Sequence, residues 1–129
     1  MNRRSLTKQS EFKEVYERGA KRVGRLLVVY LLVADDDASA VVASRKVGNA
    51  VRRNRAKRLL REARRLGCLG TRESAAGVHR TFFPDQDGPP SGANTGQGLW
   101  VVLVARTAIL AAGSAEVTAE LDALLGSPA

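Results

Sequence analysis

The chain has 129 residues, enough for one domain and short for two. Its 44% hydrophobic residues suffice for a core, while 21 Lys plus Arg against 13 Asp plus Glu leave a net charge of +8. That excess points to a polyanion or an anionic surface as partner. A single cysteine, Cys68, excludes an intrachain disulfide, and the longest apolar run, Leu26 to Ala34, is half of what a membrane-spanning helix needs. The N-terminal MNRRSLTKQSEF lacks the apolar stretch of a secretory signal, so a soluble cytoplasmic protein is expected.

In chain order, Thr7 suits a helix N-cap, with Glu11 and Glu14 near the positive helix end. Phe12, Val15 and Tyr16 fall at i, i+3 and i+4, and Gly19 suits a left-handed C-terminal stop, which predicts a helix over 7–18. Leu26 to Val33 reads as a strand buried on both faces, because its apolar run does not alternate. A polar hairpin connection over 34–39 leads to a second strand, Ala40 to Ser44; the chain then turns at Gly48, and Asn49 caps a basic helix. The stretch 67–98 holds seven of twelve glycines and three of four prolines and reads as a mobile loop. Leu99 to Ala105 is another buried strand. Ser114 opens a last helix with Val117, Leu121, Leu124 and Leu125 on one face, closed by Gly126 and Pro128. The expected fold is a two-layer α+β sandwich in a single domain, 1–129.

The charge is concentrated. Residues 1–66 carry 18 basic and 7 acidic side chains, and residues 67–129 carry 3 and 6. The first half is therefore expected to meet the polyanion, and the second to complete the fold. At 100° per residue, Val51, Ala56, Leu59, Leu60, Ala63 and Leu66 share one half of the basic helix and are expected on the sheet. Arg53, Asn54, Lys57, Arg58, Arg61, Arg64 and Arg65 share the other, with Glu62 the only acid. Arg52 falls on the apolar arc in the first turn, and Arg55 falls there without a local reason. Ordinary solvated faces mix signs, yet Arg53–Lys57–Arg61–Arg65 is a like-charge ladder in which each spacing costs roughly 0.2–0.5 kcal/mol. A bound anion relieves that repulsion. Guanidinium forks match phosphates and stack on bases, and Asn54 adds a donor and an acceptor. Charge alone does not separate RNA from DNA, but the segment has neither leucine heptads nor helix-turn-helix spacing.

The segment SRKVGNAVRRNRAKRLLRE, centred on Arg53-Asn54-Arg55, resembles the signature of the bacterial ribonuclease P protein component. EFKEVYERG (11–19) is similar to the first-helix pattern of that family, and GRLLVVYLLV, with Tyr30, to its strand. The resemblance covers residues 6–66 well and 99–125 weakly. It implies a four-stranded sheet in αβββαβα order with a left-handed βαβ crossover, one strand more than the pattern of this sequence reveals. It also implies a subunit that assists a catalytic RNA in magnesium-dependent removal of the 5′ leader from precursor tRNA. The expected contacts with the catalytic RNA are Arg45, Lys46, Asn49, Arg52, Arg53, Asn54, Arg55, Lys57, Arg58 and Arg61. Phe12, Tyr16 and Tyr30 are expected to line the leader cleft, although helical spacing alone makes the first two ordinary core residues. Mg2+ is expected to serve the holoenzyme and not to be bound by this chain. No membrane or protein partner is expected. The stretch 67–98 departs from the family as a disordered insertion.

Other features carry little chemistry. His79 has no second ligand or nucleophile nearby in sequence, and Cys68 lacks a partner at metal-ligand spacing. Asp35-Asp36-Asp37 reads as a charged hairpin tip, and GANTGQG (92–98) lacks the Lys-Ser/Thr ending of a phosphate loop. The chain shows no catalytic acid–base or nucleophile–base constellation, consistent with catalysis in an RNA.

Overall fold

Residues 4–34, 36–70, 78 and 98–126 are described by a computed structural model. The chain runs β1 (Arg4–Ser5), α1 (Gln9–Arg18), β2 (Ala20–Val23), β3 (Leu27–Ala34), β4 (Ala38–Val42), α2 (Ala50–Leu66), β5 (Gly98–Ala105), a short 3-10 helix (Thr107–Ala111) and α3 (Ser114–Leu125). From α1 onward this is the αβββαβα order that the resemblance implies. The strand missing from the pattern reading is β2, a four-residue segment of half-exposed and exposed positions that is strand only because β3 pairs with it. The two residues of β1 join the edge of β4, so the four main strands extend to five in the order β1-β4-β5-β3-β2. β3 is antiparallel to β2 and β5, and β4 is parallel to β5. The β4–α2–β5 connection is the crossover for which the resemblance implies a left hand.

The apolar run of β3 is divided between two faces, since successive side chains point to opposite sides of a sheet. Leu27, Val29 and Leu31 join Leu99, Val101 and Leu103 of β5 beneath α2 and α3, where Leu59, Leu60, Val117 and Leu121 meet them. Tyr30 and Leu32 join Trp100 and Val102 on the other face, against Val15 and Phe12 of α1. The sheet and the α2–α3 layer form the sandwich, and α1 lies across part of the opposite face.

Local expectations change in several places. Helix α1 starts at Gln9, not Thr7, because the Glu11 carboxylate accepts from the amides of Thr7 and Lys8, at 3.3 and 3.2 Å. Gly19 is not left-handed: its φ is −76°, and a Cβ there would stand 2.5 Å from the Val15 carbonyl oxygen and 2.8 Å from that of Leu31. Gly19 does cap the end of α1, but close backbone approach, not a left-handed turn, demands glycine there. β4 begins at Ala38, two residues before the pattern start. The connection over 34–39 is not a hairpin, because β5 lies between β3 and β4; Asp36 accepts from Trp100 Nε1 at 2.8 Å and Asp37 from the Leu99 amide at 3.0 Å. Of the stretch read as an insertion, residues 71–77 and 79–97, with His79, lie outside the described residues. Its Leu69 and Val78 are buried in the main core.

Two carboxylates of α3 fasten distant backbone. Both Glu120 oxygens accept from the β2–β3 turn, Oε1 from Arg25 and Oε2 from Leu26 and Leu27, at 3.1, 2.7 and 3.1 Å. Replacing Glu120 by Ala strands amide groups that are partly buried, and is expected to cost roughly 1.5–3 kcal/mol. A lower urea midpoint at unchanged m-value checks this. Asp122 accepts from the Cys68 amide at 2.8 Å. Burial, with Asp122 beside it, pushes the Cys68 thiol up to about 12. Maleimide at pH 8 should therefore label the folded protein far more slowly than the urea-unfolded chain; equal rates would refute the shift. Because the folded thiol titrates above the unfolded value of about 8.5, stability should fall as pH rises between these two values.

Candidate nucleic-acid interface

The basic helix is launched by a tight turn. After β4, the Val47 amide donates to the Ser44 carbonyl and the Gly48 amide to that of Arg45, both at 3.1 Å. Val47 is buried, which leaves the flanking Arg45 and Lys46 exposed. Gly48 has φ +141°, a conformation that disfavours a side chain. Asn49 caps α2 by accepting from the Arg52 amide at 3.0 Å. Asn49 thus has a structural task, on an exposed residue.

Along α2 the fully buried residues are Ala56, Leu59, Leu60 and Ala63, a narrower sector than half a helix. Val51 and Leu66, expected on the sheet, are 76% and 57% exposed because they sit in the end turns, beyond the core. The narrow sector explains Arg55, which lies outside it and is exposed. Arg52, Asn54, Arg58, Arg61 and Arg65 are exposed as well. The other flank differs from expectation. Arg53, Lys57 and Arg64 are half-buried, so the ladder passes from a packed flank at Arg53 to open surface at Arg61 and Arg65. Arg64 does not face outward. Its Nη1 donates to Oγ of the buried Ser39 at 2.7 Å, and burial, then Arg61, lowers its pKa. Arg53 Nε is buried and has no hydrogen-bond partner among the described residues. Among the described residues no α2 arginine forms an ion pair. Apart from the half-buried Glu62, the exposed arc is a surface of unneutralised guanidinium groups.

The three aromatic side chains singled out from sequence meet on the opposite face of the sheet. Tyr16 stands edge-on to Tyr30, with ring centroids 4.8 Å apart and planes at 72°, and Phe12 lies 6.2 Å from Tyr16. Val15 takes the core position of α1, which frees Tyr16 to remain 41% exposed. Burial, then Tyr30, raises the Tyr16 pKa, so the phenol stays a neutral donor. Lys21, paired across the strands with Tyr30, places Nζ 5.7 Å from its ring centroid. Beside the rings, Gln9, Ser10, Phe12, Lys13, Tyr16 and Glu17 line a concavity of about 720 Å³. Ala40, Val42 and Val104 share this sheet face and are half-exposed. Their signal in the sequence is only strand parity with Tyr30, legible once the register is known.

Among the described residues no three His, Cys, Asp or Glu side chains gather as a metal site, and no helix is long and apolar enough to cross a membrane.

The family model described as Ribonuclease P matches residues 1–81. The chain is 34% identical to the ribonuclease P protein component of Acidothermus cellulolyticus over 131 residues, 97% of this chain and 88% of that protein. It is 43% identical over 65 residues to the protein component of Clostridioides difficile, covering 49% of this chain and 57% of that protein. It is 49% identical over 63 residues to that of Coprothermobacter proteolyticus, covering 47% and 53%. The match thus spans little more than half the length of these last two relatives. The fold is that of the RNase P protein of Staphylococcus aureus, with a TM-score of 0.63 at 21% identity over 97% of this chain and 94% of that one. It is likewise that of the RNase P protein from Thermotoga maritima, with a TM-score of 0.62 at 22% identity over 97% and 96%. The chain belongs to the family of bacterial ribonuclease P protein components.

Proposed function

We propose that this protein is the noncatalytic subunit of a ribonuclease P holoenzyme, an RNA-based endonuclease that hydrolyses the 5′ leader from precursor tRNA. The observation that carries the reading is the unneutralised arc of α2. Arg52, Asn54, Arg55, Arg58 and Arg61 are exposed there, with Arg45, Lys46 and Asn49 at the turn and Arg53 and Lys57 on the flank. On this reading that surface holds the catalytic RNA through phosphates. Phe12, Tyr16 and Tyr30 stack on unpaired leader bases, which suits many leaders because every base has a π-face. The two surfaces lie on opposite faces of the sheet, so one RNA contact need not displace the other. Mg2+ serves the RNA-centred hydrolysis, with no step assigned to this chain. The protein works in the cytoplasm, where it meets precursor tRNA.

The test is cleavage of precursor tRNA by the catalytic RNA at low magnesium, with and without the protein. Faster or tighter leader removal is the expected result. No change in either sinks the reading, and tighter binding to ribosomal RNA would favour a ribosomal or chaperone role instead. Cleavage by the RNA-free protein would point to a protein nuclease.

A further inference from the structure

The two ends of the sheet differ in charge. β4 and β5 both finish at the end where β3 begins, since Val42 stands opposite Val104 and Leu27 opposite Ala105. Chain leaving β4 there becomes the turn with Arg45 and Lys46, chain leaving β5 becomes Arg106, and chain entering β3 arrives from Arg25. Asp36 and Asp37 mark the opposite end. Adjacent strands lie about 4.8 Å apart, so the chain segments that carry Arg45, Arg106 and Arg25 form a row across the sheet end, with Arg45 in the turn before α2.

Within that row Arg25 and Arg106, with Thr107 and Ala108, line a recess of about 350 Å³. Arg106 is held in place twice, by its amide donating to the Leu26 carbonyl at 2.9 Å and by Nη1 donating to the Gly24 carbonyl at 2.7 Å. Its remaining N–H groups have no protein acceptor among the described residues, and neither arginine has an ion pair there. The Glu120 carboxylate lies behind the turn, but its oxygens are taken by the amides of Arg25, Leu26 and Leu27. A fixed guanidinium, a second exposed guanidinium and the exposed Thr107 around one recess form a donor set for a tetrahedral oxyanion. Fixing the fork beforehand also lowers the entropy that binding must remove.

We propose that this recess binds a backbone phosphate of the catalytic RNA, extending the α2 surface across the sheet end to the β2–β3 turn. The inference rests on the RNA-binding reading above. It assigns a role in binding to Arg106, from the half of the chain that carries net negative charge.

The experiment titrates the full chain into the catalytic RNA, without precursor, over a range of monovalent salt. Variants are Arg25→Ala, Arg106→Gln and their combination, with Lys13→Gln, an exposed cation on α1, as the control for general charge. Each single change should reduce the slope of log K against log salt, and the pair should reduce it by about 0.7–0.9, the loss of one phosphate, and weaken binding by roughly tenfold. Among the described residues Arg25 has no side-chain hydrogen bond to lose, so Arg25→Ala tests the recess even if Arg106→Gln disturbs the turn. Arg25→Ala and the double variant binding with the wild-type slope and affinity, or losing no more than Lys13→Gln, overturns the recess. The α2 reading survives that result if Arg55→Ala with Arg58→Ala still weakens binding, and falls with the recess if it does not.

Discussion

Replacing Arg55, Arg58 and Arg61 together by Ala should weaken binding of the catalytic RNA while leaving the fold intact. All three are exposed, without ion pairs among the described residues, so the free protein loses little when they are removed. Removing each phosphate interaction should cost about 1 kcal/mol or more, on the order of 100-fold in affinity for three. The salt slope should drop by roughly 2–3 at the same time. Filter binding over a salt series measures both quantities, and an unchanged slope would show that these arginines touch no phosphate. The isolated helix should gain stability, because the i, i+3 repulsions Arg55–Arg58 and Arg58–Arg61 are relieved. Arg64→Ala should behave in the opposite way. It removes the partner of buried Ser39, so the loss should appear in the urea midpoint before it appears in RNA affinity.

Replacing Tyr16 and Tyr30 by Ala should reduce the preference for precursor over mature tRNA, with little effect on assembly with the catalytic RNA. Stacking is worth roughly 1–3 kcal/mol per base, so loss of one stacked base should lower the preference about 5-fold to 150-fold. Tyr16→Phe should retain most of it, because the face rather than the hydroxyl does the stacking. The informative ratio is the dissociation constant for mature tRNA over that for precursor, measured with the assembled holoenzyme. Equal weakening of both substrates would remove the leader from the cleft. Tyr16 is the cleaner probe, since Tyr30 also packs in the sheet and with Lys21.

The candidate site is legible in the sequence to different depths. Asn49 as the cap of α2, and Ser114–Leu125 as the last helix, follow from local chemistry, and both stand where the pattern puts them. The basic helix is legible as a charged face, but its limits are not. A helical projection assumes that half the circumference is buried, whereas the core here accepts only Ala56, Leu59, Leu60 and Ala63 in full. Val51 and Leu66 are misplaced by projection because they sit in the end turns beyond the core, and Arg64 because it reaches back to the buried Ser39. Thr7 misleads as a cap because Glu11, four residues on, reaches back to satisfy the amides that a helix end leaves open. Gly19 misleads because its neighbour Leu31 is distant in sequence and invisible to a local rule.

Composition and order alone determined that no intrachain disulfide is possible, that positive charge is concentrated in residues 1–66, and that aromatic side chains recur at helical spacing in α1. Periodicity and capping act over a few residues, so they are written into the sequence. Tertiary structure decided which arginines remain open to an anion, and it turned Phe12, Tyr16 and Tyr30 into neighbours, with Tyr16 4.8 Å from Tyr30 and 6.2 Å from Phe12. It also brought Arg106 beside Arg25, from residues 81 positions apart in the chain. Strand register is set by the burial of both sheet faces at once, and no local segment carries that information.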